Sequence, residues 1–358
     1  MHRLSRIAAL IVGLVIGSPS HALLPHIAGQ EAFVSRAVFA DGRLWLLTDD
    51  GELSSIVEHQ ERREAQAFPE PVHDLCLRER KPTVVTCARE HCRDWSVRQF
   101  EAGQWSVKAT ARTERGEEMV ALACGEPTTT LLTSTRLLTL GKQGTIARPL
   151  TNPFVMRGVT TTWSTAAGLL VGRNVGEWGG GLMRIDRNTG EVHPIERQTG
   201  DALCSGPLNT NCDPVNAITS VPWHPKCVAA AIGLVHFFPK GRIVEVCGDD
   251  VKSIYFEPYH IEGFKDQPPD ENGEPPMTLP FFGLVRHGDV LWAVGGDALY
   301  RVTQNGAEKV ETLGEYREID GIQVNFDSPD FVLVLTRINQ RHSISGAAPM
   351  LVARDSSP

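Results

Sequence analysis

From Val34 onward the chain is a succession of short apolar runs, many alternating with polar positions and separated by turns built on glycine, asparagine and aspartate. Short apolar runs with turn residues at their ends are the pattern of antiparallel strands joined by tight hairpins. Asp49-Asp50-Gly51, Lys142-Gln143-Gly144, Asn188-Thr189-Gly190, Pro239-Lys240-Gly241 and Gln304-Asn305-Gly306 each sit between apolar runs. Glycine supplies the positive φ that such turns demand. No stretch keeps a helical apolar period over three turns, so helix is nearly absent from the expectation.

Two stretches repeat one another. "DGRLWLLTDDGELSSI" around Trp45 and "GDVLWAVGGDALYRV" around Trp292 share a glycine, a run containing Leu-Trp, a Gly/Asp turn and a second apolar run. The tryptophans stand 247 positions apart. Five units in that interval give a repeat of roughly 49 residues. Repeated four-stranded meanders of this length predict an all-β fold, a seven-bladed β-propeller of four-stranded antiparallel blades. Four or six units in the same interval would give six or eight blades instead. The expected blades cover 32–71, 72–115, 116–152, 153–213, 214–277, 278–318 and the chain from 319. After "MLVARD" the last blade lacks an outermost strand, and the segment Leu23–Ile27 is placed to supply it. Closing the ring removes an edge that would otherwise template aggregation.

The "LWLLTDDGEL" unit resembles the propeller repeats of periplasmic sensor domains in two-component regulators and, more loosely, quinoprotein-like and kelch-like propellers. The resemblance implies a shape and carries no catalytic residue. Blades three, four, five and seven depart from it by lacking the Leu-Trp pair, and no transmembrane segment or kinase follows. A sensor role within one polypeptide is therefore not expected.

The N-terminus sets the compartment. Residues 1–6 carry two arginines, Ile7–Ile16 is almost wholly apolar, and Ser20-His21-Ala22 is a small-x-small cleavage pattern. These are the three parts of a secretory signal peptide, which divides the chain into a signal at 1–22 and a single propeller domain at 23–358. No later stretch approaches the roughly 20 apolar residues of a spanning helix, so membrane insertion is not expected and the mature chain is expected to be periplasmic or secreted.

Eight cysteines fit that compartment. An even count in an oxidising environment reads as disulfides. Four pairs cannot be connected uniquely from sequence, yet proximity favours Cys87 with Cys92 and Cys204 with Cys212, leaving Cys76 with Cys124 and Cys227 with Cys247. A Cys/His zinc site would need a spacing such as CxxC or HxxxH, which is absent, so neither a metal nor another cofactor is expected. The net charge of -8 argues against nucleic acid as a partner.

Three loops look unlike simple connectors. "GRNVGEWGGGL" sets Glu177 and Trp178 among glycines beside Arg173, a combination suited to stacking on a sugar ring or capturing a peptide, although its tryptophan also suits packing between blades. "DALCSGPLNTNCDP" (201–214) is a polar excursion that a Cys204–Cys212 bridge would pin. Residues 257–280 are rich in proline and acid, with Asp266, Asp270, Glu271 and Glu274, but their spacing does not match an EF-hand. In the usual blade winding these loops share a face with Glu90-His91 and with "NQRHSISGAAP" around His342. The opposite face carries short turns and "PWHPK" (222–226), whose two prolines suit a rigid corner.

Motifs for catalysis are missing: no GxSxG, SxxK, HExxH, GxGxxG or Walker loop occurs. Asp249-Asp250 are adjacent on a strand and point to opposite faces. The expectation is accordingly a non-catalytic scaffold that binds a protein partner or an envelope glycan through Arg173, Glu177, Trp178, His91 and His342. The alternative is a propeller enzyme of hydrolase, lyase or lactonase type, with His91, Glu177 and His342 near a central funnel.

Overall fold

The computed structural model describes residues 34–57, 63–88, 92–125, 129–141, 144–154, 158–165, 167–176, 179–198, 204–236, 238–260, 269, 275–312, 322–327, 332–337 and 350–353. Among these there is no α-helix, and none that is long and apolar enough to cross a membrane. The proposed signal peptide, the proposed closing strand Leu23–Ile27 and the acidic residues Asp266, Asp270, Glu271 and Glu274 lie outside the described residues.

Strands follow one another as antiparallel meanders. The first sheet is β1 (Val34–Ala40), β2 (Arg43–Thr48), β3 (Leu53–Val57) and β4 (Arg63–Ala65). The second is β5 (Val72–Arg78), β6 (Lys81–Thr86), β7 (Asp94–Glu101) and β8 (Gln104–Arg112), and the third β9 (Met119–Cys124), β10 (Thr129–Thr133), β11 (Arg136–Gly141) and β12 (Gly144–Pro149). The fourth is β13 (Val159–Ser164), β14 (Gly168–Asn174), β15 (Gly180–Asp186) and β16 (Val192–Ile195). The fifth is β17 (Val215–Ser220), β18 (Val228–His236), β19 (Phe238–Cys247) and β20 (Asp250–Tyr255), and the sixth β21 (Phe281–His287), β22 (Val290–Gly295), β23 (Ala298–Thr303) and β24 (Gly306–Thr312). Last come β25 (Ile322–Asp327), β26 (Val332–Arg337) and β27 (Met350–Ala353).

Every sheet falls inside the segment that the turn signals mark out, but the count of four-stranded blades is corrected from seven to six. The β25–β27 sheet has three strands among the described residues. Trp45 and Trp292 do occupy the same place: Trp45 pairs with Val38 and Trp292 with Val285, each in the second strand of its sheet.

A second repeat is invisible to composition. In all six four-stranded sheets the second residue of the first strand is an extra residue in the pairing with the second strand, so each first strand opens with a β-bulge. The bulged residues are Ser35, His73, Val120, Thr160, Asn216 and Phe282. Each follows a large apolar residue, namely Val34, Val72, Met119, Val159, Val215 or Phe281.

The chain forms two compact units, residues 1–147 with 322–358, and residues 148–321. In the first, β25 lies against β1, β1 against β5 and β5 against β9. The sheets are buried on both faces: Trp45 and Leu47 face a core with Leu75, Val84 and Phe100, while Leu44 and Leu46 face one with Val34 and Ala37. That is why "LWLL" is continuously apolar rather than alternating. Asp74 fastens three first strands in this unit: it accepts Nε of Arg36 on β1 and the amide of Leu122 on β9. Cys76–Cys124 ties β5 to β9 as well. In the second unit, β13 lies against β17 and β17 against β21, with Val244 in one core and Ile243 in another.

Candidate functional site: a platform of loop stems on the second unit

In each meander the connector from second to third strand and the connector leaving the fourth strand emerge at the end where the bulges lie. On the second unit the bulged side chains reach forward to the next sheet. Thr160 Oγ1 donates to the Val215 carbonyl at 2.5 Å, and Asn216 Nδ2 donates to the Phe281 carbonyl at 2.9 Å. Asn174 Nδ2 donates to Asn216 Oδ1 at 2.7 Å. A bulge frees its residue from the ladder, and here the freed polar groups stitch three first strands together.

Three of the connectors singled out in the sequence rise from this end, and their stems meet. Gly179–Gly181 run against the Cys204–Cys212 loop, with the Gly180 amide donating to Thr210 O at 3.0 Å and the Gly181 amide to Asp213 O at 2.9 Å. A Cβ on Gly181 (φ +85°) would lie 2.6 Å from Thr210 Cγ2, and one on Gly179 (φ +92°) 2.5 Å from Asn211 O. These glycines are needed for close backbone approach between two loops, a reason the sequence reading did not supply.

The disulfide loop is held from beneath by a buried ion pair. Arg242 on β19 and Asp213 are each 1% exposed in their side chains, with Nη2 to Oδ2 at 2.7 Å. Arg242 also donates to the carbonyls of Pro207 at 2.7 Å and Gly206 at 3.1 Å, while Asp213 accepts the Asn209 amide at 2.8 Å. Burial pushes the Asp213 carboxyl up, against the pull of Arg242.

One residue earlier on the same strand, Gly241 donates its amide to Thr278 Oγ1 at 2.9 Å. Thr278 belongs to the stem of the acidic loop, where Tyr259 donates to Met277 O and Leu279 to Glu257 O. Beneath that stem Tyr255, Phe281 and Tyr300 form a ring cluster with centroids 5.5–6.0 Å apart. The hydroxyl of Tyr255 donates to Glu257 and that of Tyr300 to Asp297, which also accepts Lys309. Burial and the neighbouring carboxylates push both phenols well above their ordinary range. The start of β19 thus anchors the disulfide loop and the acidic loop, and the disulfide loop anchors the glycine-rich one.

Of the residues named as binding candidates, Arg173 is the one within the described residues; Glu177, Trp178, His91 and His342 lie outside them. Arg173 is the penultimate residue of β14, opposite Val159 and Gly181 at the foot of the glycine-rich loop, with its guanidinium carbon 5.9 Å from the centre of the Phe154 ring. Burial lowers its pKa. The cysteines are all bonded, Cys87 to Cys92 and Cys204 to Cys212, the two pairs that sequence proximity favours, and Cys76 to Cys124 and Cys227 to Cys247, the two it leaves.

At the opposite end of the fifth sheet, "PWHPK" forms the β17–β18 turn, and His224 is drawn into a cluster. Its Nδ1 donates to Glu245 Oε2 at 2.8 Å, and Lys252 Nζ donates to Glu245 Oε1 at 2.7 Å. Glu245 is 1% exposed in its side chain. Burial works against its ionisation, but the bonds from Lys252 and His224 outweigh this and hold the carboxyl below the usual range. Asp249 and Asp250 pair outward with Arg184 and Arg197. The sequence did carry a signal for the two buried charges: Arg242 and Glu245 interrupt the apolar run "GRIVEVC" on opposite faces of one strand.

No family model matches the chain, and no curated protein matches it. Solved structures do. The extracellular domain of the putative one component system BT4673 from B. thetaiotaomicron matches with a TM-score of 0.51 at 14% identity, over 88% of this chain and 38% of that one. The same domain described as part of a putative hybrid two component system gives 0.50 at 14% identity, over 86% of this chain and 37% of that one. The β-propeller domain of the Trilobed protease from Pyrococcus furiosus matches at 0.51 with 8% identity, over 92% and 97% of the two chains. This chain spans well under half the length of the first two. These likenesses show the fold, an all-β propeller of four-stranded antiparallel blades, and the resemblance to propeller domains of two-component-type systems holds at the level of shape.

Proposed function

We propose that the chain is an exported binding scaffold that captures a protein partner through the loop-bearing end of its second unit. The observation that carries this reading is the investment of buried polar structure in the loop stems. Arg242, Asp213 and Thr278 are held in place of apolar residues at the root of loops that close no core of their own. Burying an ion pair rarely adds net stability over an apolar alternative. Its return is a fixed geometry for the loops above it, which lowers the ordering cost of binding. Arg173, Glu177 and Trp178 are the contact residues on this reading, an arginine and an aromatic being the side chains that most often anchor interfaces. The signal-peptide pattern and four disulfides support export.

Site-specific photo-crosslinking tests it. A photo-reactive side chain at the exposed Asn211, in the disulfide loop, should trap one envelope protein in living cells, whereas the same group at the exposed Lys226, at the other end of the sheet, should not. Equal trapping from both positions, or from neither, would contradict the assignment, and adducts with glycan alone would replace the protein partner with a sugar.

A further inference from the structure

Cys227, Cys247 and Glu245 place two sulfurs and a carboxylate oxygen within 4.8 Å of one another. Two facts of strand geometry bring them together. Val228 pairs with Val246, so the residues just beyond, Cys227 and Cys247, face each other across β18 and β19 with Cα atoms 4.5 Å apart. Glu245 and Cys247 are two apart on β19 and therefore share a face. Glu245 Oε1 lies 3.5 Å from Cys247 Sγ. In the oxidised chain the sulfurs are bonded to one another and offer no thiolate.

We propose that reducing the Cys227–Cys247 disulfide turns this cluster into a binding site for a zinc-class divalent ion, with Cys227 Sγ, Cys247 Sγ and Glu245 as protein ligands and a water in the fourth position. A dithiol reductant supplies two electrons and two protons: the sulfur–sulfur bond breaks, two thiols form, and the reductant becomes a disulfide. Metal binding then releases the two thiol protons. Tetrahedral zinc holds sulfur at about 2.3 Å and carboxylate oxygen at about 2.0–2.2 Å, so its ligands stand roughly 3.5–4 Å apart. The sulfurs reach that separation by side-chain rotation on strands whose register is fixed by the ladder. The charge also fits: two thiolates and a carboxylate exceed the ion by one negative charge, and Lys252 lies against the carboxylate to offset it. His224 and Lys252 already orient Glu245 through hydrogen bonds, as outer partners do around metal ligands. Cys247 is partly exposed, which gives a reductant access. The site lies at the end opposite the loop platform and does not depend on the binding role proposed above.

Cobalt reports thiolate ligation by a charge-transfer absorption. Mature protein reduced with a phosphine, desalted without oxygen and titrated with Co²⁺ should develop that absorption, and Zn²⁺ should displace it; the oxidised protein should show none. The double change Cys227→Ser with Cys247→Ser should remove it, while Cys87→Ser with Cys92→Ser should retain it, and Glu245→Gln should weaken cobalt binding by more than about tenfold. In parallel, Zn²⁺ should slow alkylation of Cys227 and Cys247 selectively, a readout that needs no variant to fold. Absence of the band, its survival in the Cys227/Cys247 variant, or zinc protection spread evenly over all eight cysteines would overturn the proposal.

Discussion

Single side chains in this molecule do work that a reading of apolar runs cannot assign. Glu117 precedes β9 and is almost fully buried; it accepts hydrogen bonds from Arg136, from the Thr133 hydroxyl and from the Glu114 amide. Burial opposes its ionisation, but these bonds prevail and bring its pKa from an ordinary 4.5 down to about 2. Because the folded value lies below the unfolded one, this stabilisation is complete above pH 4.5 and drains away as the pH falls from there toward 2. Glu117→Gln should therefore lower the melting temperature at pH 7 and narrow the loss between pH 5 and pH 2, as read by thermal melts across that range. A variant whose acid sensitivity matches the parent's would show that other carboxylates govern it. Arg242→Met strands Asp213 in the interior, and leaving one member of a buried pair uncompensated costs about 3–5 kcal/mol. Denaturant unfolding should show a loss of that order, and a loss under about 1 kcal/mol would mean the clasp is not holding the loop.

At the scale of elements, the junction between the glycine-rich loop and the disulfide loop is the point to press. Gly181→Ala adds a Cβ at φ +85° that meets Thr210 at 2.6 Å, so both the backbone and the neighbouring loop must yield. A cost of about 2 kcal/mol is expected, with faster proteolysis in residues 201–214. An unchanged melting point with unchanged cleavage would remove the junction from the argument. The strands themselves were legible. Short apolar runs and Gly/Asn/Asp turns marked the segment of every sheet, because a hairpin imposes both signals locally, and the Trp45 and Trp292 stretches matched in register as well as in letters. The bulges at Ser35, His73, Val120, Thr160, Asn216 and Phe282 were not legible. A bulge is defined by pairing with another strand, and nothing in a Val-Ser or a Val-Asn pair announces one. The loop junction was half legible: the glycines stood out, but their partner Thr210 could be found only by folding the chain.

For the whole molecule, the four disulfides bear on stability. In the chain-entropy account, a cross-link stabilises more when it closes a longer loop. Cys76–Cys124 spans a sequence separation of 48 and Cys204–Cys212 one of 8. Removing the first pair by paired alanine substitutions should cost about 4 kcal/mol and the second about 2.5 kcal/mol, and the reverse order would show that strand-to-strand strain rather than loop entropy decides. The blade count was the feature least available to a sequence reading. Trp45 and Trp292 fall in the first and sixth sheets, five units apart as the repeat length has it, and the count departs only in the segment from Ile322, whose sheet has three strands among the described residues.

On the proposed function, the loop-bearing end of the second unit binds a partner. Trp178→Ala tests it most directly, with stability and capture measured on the same preparation. If Trp178 is a contact residue, the melting temperature should stay nearly unchanged while capture of the crosslinked partner weakens by about 2 kcal/mol, roughly 30-fold in Kd. If the change instead destabilises the fold by about 3 kcal/mol or more, as truncating a packed tryptophan does, the tryptophan is part of the core, and if capture stays intact the binding face lies elsewhere; either result contradicts the assignment.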